Sequence, residues 1–435
     1  MPRSTARPPA RASTRALWAL LEQFAWPIAL LVCVPLLMPR LGASDFGFFS
    51  LTLTVCGMSS LLSIGVGAIT SRNVAMAEEA GDRAGALLDV RRALGALLVC
   101  GGTLGVLLAT LSPALASSIL SGMGHTGLTT RALLAGLVCA AFQEIDTVFS
   151  MAVKGLGRFR LAAILEWSGR IVWAVAAVAA AAEGGLMTVL LATILALGFK
   201  CLLKAVAACV VFDTARVVVP HVTPHAMRSL LSASRWLWVQ NLSALLLLSG
   251  DRLIVGALFG SASLGRYTAC AQLAQFAFIV PATAGQALLP WVARHLANES
   301  EPRVGWRTRL CVLGIASAAG GLVMAVSSGP ILSLWLGPEF GAENARLLSA
   351  LAFGGALLAF SVPFHFVQLA IGRVRMIGVA NALGAVACVG LCLLVAPFGL
   401  VAFAVAKSVY AVPLLSYGFM LPARRSPSSL QNPSF

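Results

Sequence analysis

Charge is what this sequence has least of. Only 11% of its 435 residues are Asp, Glu, Lys or Arg, where a soluble globular chain carries about 25%. A folded chain so poor in charge cannot cover its surface for water, so most of that surface must face something else. Acid is scarcest, at 16 Asp and Glu against 31 Lys and Arg. The ten cysteines form no C-x-x-C pair, and all fall inside or beside apolar stretches. That removes zinc and thioredoxin-type chemistry and leaves small apolar packing residues. No P-loop, no G-x-S-x-G and no large polar loop with paired acids occurs, so no catalytic site, metal or cofactor is expected. What is abundant is apolar: 59% of the chain is hydrophobic, with a mean hydropathy of +0.90. These proportions exclude a disordered chain, a coiled coil and an ordinary cytosolic enzyme. They describe an all-α polytopic integral membrane protein.

A bilayer core takes about 20 apolar residues per helix. Twelve runs meet that length, near 17–38, 46–69, 93–111, 129–153, 161–182, 186–211, 236–258, 264–292, 310–328, 345–366, 377–396 and 399–421. The first is too long for a cleaved signal peptide, and no clear cleavage site follows it.

The basic residues test that count. With the N-terminus cytoplasmic, 24 Lys and Arg fall inside or at inner helix ends, among them Arg15, Arg158, Arg160, Lys200 and Lys204. Only Arg40, Arg131, Arg266 and Arg346 fall outside. A wrong count would shift the register and scramble this asymmetry, so both termini are expected in the cytoplasm. The net charge of +15 is spread along the chain, and no nucleic-acid partner is expected.

The chain also repeats itself. Leu41-Gly42-Ala43-Ser44-Asp45-Phe46-Gly47-Phe48-Phe49 is similar to Phe259-Gly260-Ser261-Ala262-Ser263-Leu264-Gly265-Arg266-Tyr267, at an offset of 218. Pro113 and Leu115 match Pro330 and Leu332, and Gly157-Arg158-Phe159-Arg160 matches Gly372-Arg373-Val374-Arg375. The matches fall in equivalent loops of the two halves, which points to a duplicated six-helix unit. Six is even, so the halves share one orientation, related by a pseudo-two-fold axis along the membrane normal. The expected organisation is a basic cytoplasmic tail (1–16), an N-lobe (17–211), a cytoplasmic linker (212–235), a C-lobe (236–421) and a disordered cytoplasmic tail (422–435). The segments near 70–92 and 212–235 have the length for short amphipathic helices.

Two six-helix halves with almost nothing outside the bilayer describe a transporter with a midplane cavity. Ionisable residues at that depth are costly and are functional candidates. The cations within spans are Arg170, Arg252 and Lys407. Glu166 and Arg170 stand at i,i+4, a favourable helix pair, so local neutralisation and substrate contact remain equal readings for Arg170. Asp251 and Arg252 are adjacent and point apart on a helix. Lys407 has no local acid, which modestly favours a cavity. The acids Glu22, Glu144 and Asp146 either carry a coupled ion or pair with the membrane cations, pairing being the default. Pro27, Pro35, Pro281 and Pro363 interrupt helical hydrogen bonds and serve as hinges or are merely tolerated. His221 and His225 read as solvated. The Asn298-Glu299-Ser300 sequon lies on the cytoplasmic side and carries no meaning there. Trp18, Trp167, Trp236, Trp291 and Trp306 read as interfacial anchors.

The 41–49 segment, followed by Leu62-Ser-Ile-Gly-Val-Gly-Ala68, resembles the opening of Wzx-type polysaccharide flippases. These belong to the multidrug/oligosaccharidyl-lipid/polysaccharide exporter superfamily. Gly250-Asp-Arg-Leu-Ile-Val-Gly-Ala-Leu-Phe-Gly260, Leu264-Gly-Arg-Tyr-Thr-Ala269 and Gly155-Leu-Gly-Arg-Phe-Arg160 carry the same resemblance. It implies transport of an undecaprenyl-diphosphate-linked oligosaccharide across the bacterial inner membrane, for lipopolysaccharide, capsule or exopolysaccharide assembly. Arg170, Arg252 and Lys407 would then hold the diphosphate by charge-assisted hydrogen bonds. The implied partners are the lipid-linked glycan, membrane lipids, and the polysaccharide polymerase and chain-length machinery. A drug/cation antiporter of the same superfamily would call for an acidic, aromatic lumen, and the three cations weigh against it. A membrane-bound polysaccharide polymerase or ligase would call for a large external loop, which this sequence lacks.

Overall fold

The computed structural model describes residues 9–59, 66–223, 249–297, 306–371 and 373–414. The start of the run at 236–258, the second half of the 212–235 linker, His225, the sequon at 298–300 and the C-terminal tail lie outside the described residues. Within them the chain is helical from end to end. α1 is Pro9–Gly57, α2 Val66–Glu79 and α3 Arg83–Ala96. A π-turn at Leu97–Gly101 continues α3 into α4, Gly102–Ser117. α5 is Thr126–Gly155, α6 Phe159–Glu183 and α7 Gly185–Phe212. α8 is Asp251–Ala274 and α9 Phe276–Ala297. The remainder are α10, Trp306–Val326; α11, Ser328–Leu336; α12, Pro338–Ala370; α13, Val374–Val395; and α14, Leu400–Lys407.

Eight of the described helical stretches are long and apolar enough to cross a membrane. The first, Leu17–Gly57, has 41 residues, about 60 Å if straight and about twice the hydrocarbon thickness. It is not straight. Gly42 has φ 76° and ψ 163°, a conformation that only glycine adopts freely. The side-chain contacts establish the reversal. In the arm before Gly42, Arg160 stacks over Trp18, the Trp167 indole donates to the Leu21 carbonyl and Trp26 meets Trp173, so this arm runs parallel to α6. In the arm after it, Thr52 donates to the Ala132 carbonyl and Gly136 packs on Val55, so that arm runs parallel to α5. A tight turn at Leu156–Arg158 makes α5 and α6 antiparallel, and the chain must therefore fold back at Gly42.

Gly260, with φ 85° and ψ 177°, does the same inside α8. Tyr267 donates to the Asp251 carboxylate at 2.5 Å, although 16 residues of straight helix would hold them about 24 Å apart. Both reversals fall in the turns expected at 39–45 and 259–263. The repeat is visible in the backbone elsewhere too, since Arg158 (φ −86°, ψ 49°) and Arg373 (φ −82°, ψ 47°) cap the starts of α6 and α13 in one conformation.

The chain forms two compact units, Met1–Gln272 and Leu273–Phe435. In the first, α5 is the central helix, touched by α1, α2, α4, α6 and α7. In the second, α12 is central, packed by α9, α10, α11 and α14. There Gly321 and Gly355 stand against Ala277 and Ala356, small residues that let membrane helices approach closely. One expectation needs adjusting. The external stretch before the run at 345–366 is not loop, since α11 occupies it and α12 begins at Pro338. Within 70–92, helix covers all but the turn at Ala80–Asp82, and the Asp82 carboxylate caps α3 by accepting from the Gly85 amide.

Candidate functional site: a buried charge network in the first unit

The interior of the first unit holds five linked charged side chains on three helices. α5 supplies Asp146, α6 supplies Glu166 and Arg170, and α7 supplies Lys200 and Lys204. Arg170 Nε donates to Glu166 Oε1 at 2.7 Å. Lys200 Nζ lies 3.1 Å from that same oxygen and 3.1 Å from Asp146 Oδ2. Lys204 Nζ donates to Asp146 Oδ2 at 2.9 Å and to Glu166 Oε2 at 2.6 Å. Gln143 Oε1 accepts from Arg170 and Lys200 at 3.4 Å each. Lys200 is wholly buried and Lys204 is 2% exposed, depths reserved for charges with partners.

Local sequence explains the assembly. Glu166 and Arg170 are four apart, as are Lys200 and Lys204, so each pair shares one face of its helix. Gly169 leaves room for Lys200, whose aliphatic stem occupies the space a side chain there would need. On the other side Arg170 stacks 4.3 Å from the Trp26 ring centre, and Trp26 lies 4.9 Å from Trp173. A guanidinium over an indole is an attractive cation–π arrangement.

The three cations exceed the two carboxylates by one, and Asp146 Oδ1 is buried with no hydrogen-bond partner among the described residues. A smaller satellite lies nearby in sequence. Glu22 of α1 pairs with Lys154 of α5 at 2.7 Å and accepts from Ser150 at 3.4 Å. Glu144 is buried at 4% and is itself engaged by neighbours.

The residues singled out from the sequence are thus distributed. Arg170, Glu166 and Asp146 come together in one network, and Glu22 stands with Lys154. Asp251 accepts from Tyr267 and from the Arg252 amide. Arg252 Nε is buried with no hydrogen-bond partner among the described residues. Lys407 belongs to the second unit, at the end of α14 and half-buried. Lys200 and Lys204 require a correction. Counted with the cytoplasmic helix ends, they are buried inside the protein, because the acids of α5 and α6 hold them there. Their i,i+4 spacing late in an apolar run was the available signal.

A family model described as polysaccharide biosynthesis protein matches residues 14–296. The chain belongs to that family. A putative O-antigen transporter of Shigella flexneri is 20% identical over 359 residues, covering 81% of this chain and 84% of that protein. The fold is shared with an inward-facing multidrug resistance transporter of the MATE family, MOP superfamily (TM-score 0.70, 15% identity, 93% of each chain). It is also shared with the lipid II flippase MurJ in an inward closed conformation (TM-score 0.67, 12% identity, 93% of this chain and 86% of that one). The resemblance to Wzx-type flippases drawn from the sequence motifs is upheld by this family membership, and eight of the described helical stretches are long and apolar enough to cross a membrane.

Proposed function

We propose that the protein flips an undecaprenyl-diphosphate-linked oligosaccharide across a bacterial inner membrane by alternating access, for surface polysaccharide assembly. It does so without catalysis. In this reading twelve helices form two six-helix lobes, 17–211 and 236–421, with both termini in the cytoplasm. The reversals at Gly42 and Gly260 support that count, because each divides one hydrogen-bonded run into two crossings. The lipid-linked glycan and membrane lipids are its partners, with the polymerase and chain-length machinery acting on its product.

The observation that carries the proposal is the charge balance of the network. Asp146 and Glu166 are committed to Lys200, Lys204 and Arg170, so neither carboxylate is left to receive a cationic drug. Among these five side chains the cations exceed the carboxylates by one, a balance that suits a diphosphate. Arg170 is the member to contact it, because its guanidinium is held by one carboxylate and laid on Trp26, whereas each lysine bridges two acids. Arg252 and Lys407 are the further candidates for that contact. Glu22, Glu144, Asp146, Glu166 and Asp251 act as charge partners.

Deletion of the gene tests the reading. Lipid-linked repeat units should accumulate on the cytoplasmic leaflet and surface glycan should disappear. Normal glycan display in a strain without a redundant flippase would contradict it.

A further inference from the structure

A second cationic feature lies at the other end of the first arm of α1 from Gly42. A cleft of about 590 Å³ opens between the start of α1 and the turn joining α5 to α6, lined by Arg15, Arg158 and Arg160 together with Trp18, Leu161 and Ile164. The turn is built around Gly157, whose φ is 75°. The Arg15 guanidinium lies over this glycine, 3.2 Å from where a side-chain carbon would stand. The Arg160 guanidinium stands 5.7 Å from the Trp18 ring centre. Arg158 and Arg160 are exposed and Arg15 is half-buried. No acidic side chain among the described residues pairs with any of the three. Beside them Ile164 is exposed and continues the cleft as an apolar wall along α6.

Retention of basic residues at one membrane face accounts for arginines at this level. It does not account for three of them sharing one cleft, without an acid, against an indole and an apolar wall. We propose that this cleft binds the phosphate-bearing headgroup of a membrane lipid. The arginines engage the phosphate oxygens, and Leu161 and Ile164 lie beside the first carbons of the hydrocarbon chain. Guanidinium forks bind phosphate oxygens bidentately. Three of them match a diphosphate, which carries more negative charge than the phosphodiester of a bulk phospholipid. The cleft is therefore assigned to the polyprenyl diphosphate end of the transported lipid, captured before it reaches the buried network. This assignment rests on the flippase reading above.

The test uses the full-length protein in phosphatidylcholine nanodiscs, with binding read by native mass spectrometry. Undecaprenyl diphosphate is titrated first, and phosphatidylglycerol is then added as competitor. Three proteins are compared: wild type, Arg158→Gln/Arg160→Gln, and Arg40→Gln as a control at an exposed arginine outside the cleft. Arg158 and Arg160 are exposed, so the double variant should keep its melting temperature. Undecaprenyl diphosphate should bind wild type and Arg40→Gln alike and bind the double variant about tenfold more weakly or worse. Equal amounts of phosphatidylglycerol should fail to displace it. Equal binding by the double variant overturns the proposal, as does a wild type that binds no undecaprenyl diphosphate. Displacement by equimolar phosphatidylglycerol overturns it too, and makes the cleft a site for bulk anionic lipid. Glycan export in the deletion strain is read separately, so failure of the cleft and failure of the flippase reading are told apart.

Discussion

The hydroxyls of Ser44 and Ser261 lie 2.8 Å apart, although 217 residues separate them in sequence. They mark a contact between the two copies of the repeat. Gly47 sets its backbone against the Ser261 carbonyl, and its counterpart Gly265 sets its own against the Ala43 carbonyl. Ala43 and Ser261 are counterparts at the same offset as Gly47 and Gly265, so the contact is reciprocal, as a two-fold relation requires. No side chain fits at either glycine while the two segments touch.

If transport requires this contact to part, cross-linking it stops transport. A Ser44→Cys/Ser261→Cys variant is expected to form a disulfide under mild oxidant and to lose glycan export. Reductant should restore export, and each single cysteine variant should export normally. Full export by the oxidised, cross-linked protein would show that the contact is static.

The buried network makes the two kinds of cation unequal. Lys204→Met strips one ammonium from both Asp146 and Glu166, and breaking a buried ion pair costs about 3–5 kcal/mol. The detergent-solubilised protein should melt well below wild type. Lys204→Met/Glu166→Gln restores the original surplus of one cation and should recover much of that loss. Equal melting of wild type and Lys204→Met would contradict the network.

Arg170→Gln keeps all four lysine contacts that bridge Asp146 and Glu166, so the folded protein should persist at near-normal membrane abundance. Export should nevertheless fall tenfold or more, since a charge-assisted contact to the diphosphate is worth about 1.5–3 kcal/mol. Full export by Arg170→Gln at matched abundance would remove Arg170 from substrate contact and leave Arg252 and Lys407.

Topology reporters test the membrane arrangement. Fusions after Ala43, Gly122 and Gly337 should report periplasm, and fusions after Glu79, Arg158 and Arg303 cytoplasm. One reversed reporter would contradict the twelve-span count.

Much of this arrangement is local, and local features are legible in a sequence. The apolar runs give the helices, and the Gly42 and Gly260 segments align as repeats because the same backbone reversal demands glycine in both. Glu166 and Arg170 pair within one helix turn. The partners that escaped notice are those supplied by another helix. Lys154 near a helix end reads as an interfacial cation, yet it meets Glu22 from α1. Lys200 and Lys204 read the same way, and only the packing of α5 and α6 against α7 turns them inward. In a sequence, a lysine late in an apolar run looks the same whether it reaches for water or for a buried acid.

The most direct measurement is transport by the purified protein. Proteoliposomes carrying a labelled undecaprenyl-diphosphate oligosaccharide should show its label becoming accessible on the far leaflet faster than protein-free liposomes do. Arg170→Gln proteoliposomes should lag. A rate equal to that of protein-free liposomes, with accumulation of a cationic drug by the same vesicles, would contradict the flippase account and favour an antiporter.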